Sequence, residues 1–281
     1  MRILVPVDFS FESKQALAYA SAIGRLIQKN PEAEDKLEIL IFHAFHPPLG
    51  KRANFFVDPE MLGREERQLR FKIHRLQTTI PTIAYLPHRL ILLMADAKQG
   101  LARVVEEEAV DLVIMGFGTG QDHQSALKGS TTTYAMRELS CPVLVVPAST
   151  DIFYPRYIGF ATDLESVKKQ EMLHFFKKMV RIWKAQLDIL HVHPAPQQID
   201  SGHAIEALEL HDFFDDLAPG YHFPTDQDPV KGLYRYIHEN RVDLLAVLHR
   251  RHHFPESLFH KSTSLGFLQN MRVPLLILQE K

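Results

Sequence analysis

Apolar positions follow two alternating rhythms along the chain. Residues 3–7 form a short continuous apolar run, and over 13–28 Ala16, Leu17, Ala20, Ile23, Leu26 and Ile27 return at helical spacing. The polar stretch 30–36 ends that helix before a strand predicted at 38–45. A polar helix follows, with Leu62, Leu69, Ile73 and Leu76 on one face. Then come an apolar run at 90–94, a helix over 98–108, a strand at 111–115, a helix over about 131–139 and a strand at 143–146. Strands alternating with helices of this length predict an α/β fold, a parallel sheet covered on both faces. The continuous apolar character of 111–115 suits a strand buried on both sides. The stretch from Ile80 to Met94 carries the weakest pattern.

The pattern then repeats. Residues 96–116 lie over 228–248 without a gap, so that Asp96, Gly100, Leu101, Arg103, Glu107, Val110, Asp111 and Leu112 meet Asp228, Gly232, Leu233, Arg235, Glu239, Val242, Asp243 and Leu244. The same offset carries Ser130-Thr131 onto Ser262-Thr263 and Pro142 onto Pro274. Upstream the match is looser: "ILVPVDFS" at 3–10 resembles "IGFATDLE" at 158–165, and "LEILIFHAFHPP" at 37–48 resembles "QLDILHVHPAP" at 186–196. The chain is read as two copies of one unit, 1–147 and 157–281, joined by 148–156.

Composition narrows the functional classes. In 281 residues, 32 Lys and Arg stand against 34 Asp and Glu, so no basic field draws the protein to nucleic acid or to an anionic membrane. Cys141 is the single cysteine, which excludes an intrachain disulfide. No apolar run is long enough to span a bilayer, and the first residues lead directly into a strand rather than a secretion signal. The expected compartment is the cytoplasm.

Candidate chemistry centres on "GFGTGQDHQSALKGST", residues 116–131. Gly116 closes the predicted strand 111–115, where missing Cβ atoms let backbone approach a ligand. Gly129, Ser130 and Thr131 open the next helix, whose first amides lack internal partners and carry partial positive charge. Together these features suit an anion, most naturally phosphate. Neither a Walker A loop nor a G-x-G-x-x-G fingerprint is present.

The spacing Gly116, Thr119, Gly129, Ser130 resembles the glycine loop of the universal stress protein family, with Thr119 in place of its second glycine. The first-strand Asp8, the second-strand ends "HAFHP" and "HVHP", and "CPVLVVP" and "VPLLILQ" are similar to that family as well. The resemblance covers nearly the whole chain, twice. It implies two tandem adenine-nucleotide-hydrolase-like (Rossmann-like) domains, each an open five-stranded parallel sheet of order 3-2-1-4-5 with helices on both faces. It also implies an adenine nucleotide such as ATP, with Mg2+, held in the first unit. Pro6, Val7, Asp8 and Ala44 would hold the adenosine, and Gly116, Thr119, Gly129, Ser130 and Thr131 the phosphates. Single-domain relatives pair their last strands; here 142–147 and 274–279 would do so within one chain as a pseudo-dimer, with a further homodimer possible.

The second unit lacks the loop. Leu248, Arg251 and Lys261 replace Gly116, Thr119 and Gly129, so nucleotide binding is not expected there, although Arg250, Arg251, Lys261 and four histidines could meet a smaller anion. The pairs His43/His46 and His191/His193 read as hydrogen-bonded strand-end histidines rather than metal ligands. The leading expectation is a non-catalytic, nucleotide-binding stress regulator with an unidentified protein partner. Two alternatives stay open: slow ATP hydrolysis or adenylyl transfer, for which His123 is the local candidate base, and a nucleotide-free interaction module.

Overall fold

The computed structural model describes residues 1–30, 36–46, 59–118, 130–152, 154–162, 170–193, 201–249 and 272–279. The first unit runs β1 (Arg2–Pro6), α1 (Phe11–Lys29), β2 (Glu38–Phe45), α2 (Pro59–Thr79), β3 (His88–Met94), α3 (Ala97–Glu107), β4 (Leu112–Phe117), α4 (Ser130–Glu138) and β5 (Val143–Pro147). The second runs β6 (Tyr157–Ala161), α5 (Gln170–Trp183), β7 (Gln186–Leu190), α6 (Ser201–Phe214), β8 (Gly220–His222), α7 (Pro229–Glu239), β9 (Leu244–His249) and β10 (Leu275–Gln279). The weakly patterned stretch after Ile80 resolves into a 3-10 turn at Pro81–Tyr85 and then β3.

All ten strands form one sheet, in the order β3-β2-β1-β4-β5-β10-β9-β6-β7-β8. Each half therefore has the expected 3-2-1-4-5 order, the second as the mirror sequence of the first. Pairing is parallel within each half, and β5 meets β10 antiparallel, with Leu144 beside Leu276 and Val145 beside Leu275. The junction removes two apolar edges that would otherwise be open to other chains.

The local chemistry of the repeat survives in the structure. Asp96 and Asp228 are the N-caps of α3 and α7, each accepting from the amides two and three residues on. Asp111 Oδ2 accepts from the Arg2 amide, and Asp243 Oδ2 accepts from the amides of Arg156 and Tyr157, so the same aspartate anchors the first strand of each unit. Register follows suit: Ile3 lies beside Leu112, and Ile158 beside Leu244.

Strand alternation divides the core. Ile3, Val5, Ile39 and Ile41 face one layer with Leu17, Ile23 and Ile73, while Leu4, Leu40 and Val113 face the other with Leu101, Val105 and Ala135. Both layers continue into the second unit, through Phe160, Phe176 and Phe214 on the first side and Leu233, Tyr236 and Ile277 on the other. The two halves thus share their cores, in keeping with one unbroken sheet.

Candidate functional site

The order of the first five strands reverses beside β1, whose neighbours are β2 and β4. A crevice must open there, outside the carboxyl ends of these strands, because the crossovers leave in opposite directions. A cavity of about 370 Å³ occupies this place. Pro6, Val7 and Asp8 form its wall after β1, Phe42, His43 and Ala44 come from β2, and Met115, Gly116 and Gly118 come from β4 and the residue after it. The first turns of three helices close it: Ser10, Glu12 and Ser13 at α1, Ala97 at α3, and Thr131 and Thr132 at α4.

Hydrogen bonds fix the wall after β1. The Val7 amide donates to Phe42 O at 2.7 Å, and His43 Nδ1 lies 2.6 Å from Val7 O. Only a protonated Nδ1 can bond a carbonyl, so this contact selects the tautomer that donates there and leaves Nε2 as the ring's acceptor. His191 Nδ1 stands 3.0 Å from Thr162 O in the second unit, the same bond in the second copy. Phe9 then adopts φ 66, a left-handed conformation that costs a bulky residue energy, with its ring 4.9 Å from the His43 imidazole.

Ser10, not Asp8, is the N-cap of α1, with its hydroxyl accepting from the Ser13 amide. Asp8 supports the cap from behind: its Oδ1 accepts from both the hydroxyl and the amide of Ser10. Partial burial works to raise the Asp8 carboxyl, but the hydrogen bonds from Ser10 and Ser13 outweigh it and hold the group below its ordinary value of 3.8. Asp8 is therefore an ionised wall of the cavity.

Gly116 requires a correction to its predicted setting. β4 continues to Phe117, and Gly116 is paired with Val146 inside the strand rather than at its end. A Cβ on Gly116 would stand 2.0 Å from Glu12 O, so the glycine admits the first turn of α1 against β4. One residue pair further out, Glu12 Oε1 lies 2.6 Å from the place of a Cβ on Gly118, which brings a carboxylate over the mouth of the crevice.

Six of the residues expected from the sequence, Pro6, Val7, Asp8, Ala44, Gly116 and Thr131, share this cavity. Ser130 opens α4 but is not on its wall, and Thr119 and Gly129 lie outside the described residues. Sequence reasoning missed Glu12, His43 and Thr132 as components. Their signals are ordinary: a helix-surface glutamate, a strand histidine, and a threonine that is buried and bonds Gly116 O through its hydroxyl at 3.5 Å. Cys141 is buried. Among the described residues, no group of three or more His, Cys, Asp or Glu side chains is placed to hold a metal ion, and no helix is long and apolar enough to cross a membrane.

The sequence model of the universal stress protein family matches residues 1–147, more than half of the chain and ending on the last residue of β5. The chain belongs to the universal stress protein family. A universal stress protein from Archaeoglobus fulgidus has a similar fold over 99% of this chain and 96% of its own, with 16% identity and a TM-score of 0.70. A functionally unknown protein from Pseudomonas aeruginosa is similar over 99% of this chain and 92% of its own, with 16% identity and a TM-score of 0.58. No curated protein matches the chain. Within this universal stress protein, the second unit repeats the bond to the strand histidine and both aspartate anchors. Of its counterparts of the glycine loop, Leu248 lies in β9 where Gly116 lies in β4, while Arg251 and Lys261, and Asp163 at the first-strand end, lie outside the described residues.

Proposed function

We propose that this universal stress protein is a non-catalytic regulator that binds an adenine nucleotide in its first unit, residues 1–147, with the divergent unit 157–281 as its structural and regulatory partner in the cytoplasm. The observation that carries the reading is the meeting of Pro6, Val7, Asp8, Ala44, Gly116 and Thr131 around one cavity at the strand-order reversal. Val7, Phe42, Ala44 and Met115 supply apolar wall of the kind a purine needs. The first turn of α4, with the hydroxyl of Thr131, supplies donors of the kind a phosphate needs.

Charge favours a Mg2+-bound form of the nucleotide. Asp8 and Glu12 place two carboxylates on the cavity wall, and a bare polyphosphate there would meet like charge. A Mg2+-bound nucleotide suits these residues better, with the ion neutralising phosphate oxygens and Glu12 the carboxylate best disposed to face it, since Asp8 is already bonded to Ser10.

Calorimetric titration with Mg-ATP, beside a Gly129→Lys variant that copies the second unit, tests the reading. One nucleotide per chain, lost in the variant and released without turnover, is the expected result. Turnover that depends on His123 would make the protein an enzyme, and no binding to the native chain would make it an interaction module.

A further inference from the structure

A second and larger cavity, about 600 Å³, lies where the C-terminal end of α1 meets that of α5, beside the start of β6 and β7. It shares no residue with the crevice of the first unit. Its wall draws on the first unit, the joining segment and the second unit, so it exists only because both copies are on one chain. We propose that this cavity is a binding site for a small organic anion that carries an aromatic ring.

Charge is the first argument. Lys29, Arg156 and Lys184 line the cavity, and no described residue on its wall is acidic. None of the three cations has an ion-pair partner among the described residues, although elsewhere in the protein Arg89, Lys177, Arg181 and Arg235 all do. Asp243, the acid next to this region, is occupied by the backbone amides of Arg156 and Tyr157. The C-terminal ends of α1 and α5 contribute partial negative charge, which Lys29 and Lys184 offset at the two helix ends. The guanidinium of Arg156 remains as a fork for a carboxylate, sulfonate or phosphate.

The ring preference comes from the rest of the wall. Tyr154 and Tyr157, 37% and 46% exposed, offer aromatic surface on this wall to a ring in the cavity. Trp183, 2% exposed, adds a third aromatic ring to the same wall. The volume falls in the range of sites for ligands of this size.

Trp183 is the sole tryptophan of the chain, so the site carries its own reporter. The probe is 8-anilinonaphthalene-1-sulfonate, an aromatic anion that accepts energy from tryptophan. Titration into the full-length protein should quench Trp183 emission saturably at one probe per chain. The double variant Arg156→Glu/Lys184→Glu, both at exposed positions, should weaken binding by at least about tenfold, as should Lys29→Glu made separately. The uncharged N-phenyl-1-naphthylamine should bind more weakly than the sulfonate by a similar factor. Absence of quenching, quenching indifferent to charge reversal, or equal affinity for the neutral probe would overturn the assignment. Circular dichroism of each variant separates lost binding from lost folding, and the two charge variants touch different elements, so the failure of one to fold leaves the other decisive.

Discussion

Gly116 in β4 and Glu12 in the first turn of α1 approach so closely that a Cβ on the glycine would lie 2.0 Å from the Glu12 carbonyl oxygen. Two backbones are in contact, so neither can move aside without shifting a strand or a helix. Gly116→Ala should therefore destabilise the protein by about 3 kcal/mol or more, toward or beyond the upper end of overpacking costs. Gly118→Ala is the matched control, since its Cβ meets only the far end of the Glu12 side chain, which can rotate. Its cost should stay below about 1 kcal/mol. Denaturant unfolding of both variants measures the difference.

The junction of the two halves has its own polar lock. Gln279 on β10 is buried, and its Nε2 donates to Ala135 O at 2.9 Å and to Met136 O at 2.8 Å. These carbonyls belong to the last turns of α4, where helical partners run out; Ala135 O still accepts from the Leu139 amide at 3.3 Å. The second unit thus caps a helix of the first. Gln279→Leu keeps the volume but removes the side-chain donor from Met136 O and leaves Ala135 O only its bond from the Leu139 amide, so a loss of about 1–3 kcal/mol is expected. Urea unfolding monitored at Trp183 in the second unit and by circular dichroism over the whole chain should show one shared transition at lower midpoint.

Much of this architecture was legible because the repeat and the strand-helix alternation are properties of neighbouring residues. The gapless match of Asp96, Gly100 and Asp111 to Asp228, Gly232 and Asp243 ends in the same caps and the same strand anchors. The site was legible in part. Gly116 stood out as a glycine, but its reason, contact with the backbone of Glu12, depends on how α1 crosses β4 and leaves no local trace. Glu12 and His43 escaped notice for the same cause: each reaches the crevice only through pairings between segments far apart in sequence. The end of β4 was placed short because Gly116 reads as a strand stop, whereas its bonds to β5 continue to Phe117.

The shared caps permit a quantitative test of the repeat. Asp96 and Asp228 each accept two amide hydrogen bonds at the start of equivalent helices, in different halves of the chain. Asp96→Ala and Asp228→Ala should each cost about 1 kcal/mol. The double variant should lose their sum within about 0.5 kcal/mol, because the two sites share no partner. Thermal unfolding of the three variants gives the comparison.

Asp8 links the crevice to acid stability. Its folded-state value is lowered below 3.8, so on acidification the unfolded chain takes up the proton first. The contribution is fully present above the unfolded value and is lost as pH falls through the folded one. Asp8→Asn keeps an acceptor for Ser10 but cannot titrate. The native protein should therefore lose more melting temperature than the variant between about pH 5 and pH 3, and the two should lose it in parallel above about pH 5. A steeper fall in the variant would refute this assignment.

Glu12 offers the sharpest test of how the crevice treats charge. Its carboxylate lies over Gly118, on the wall where Thr131 would meet phosphate. Like charges a few ångströms apart near a protein surface repel by a few kcal/mol at most, and solvent screens part of this. Glu12→Gln should thus raise affinity for ATP in the presence of a chelator by roughly three- to tenfold, a change of about 1 kcal/mol. With Mg2+ present the sign should reverse, because the variant loses a carboxylate that faces the cation. Adenosine carries no phosphate and should bind both proteins equally. A uniform change across all three ligands would place the effect of Glu12 in the packing of α1 against β4 rather than in its charge.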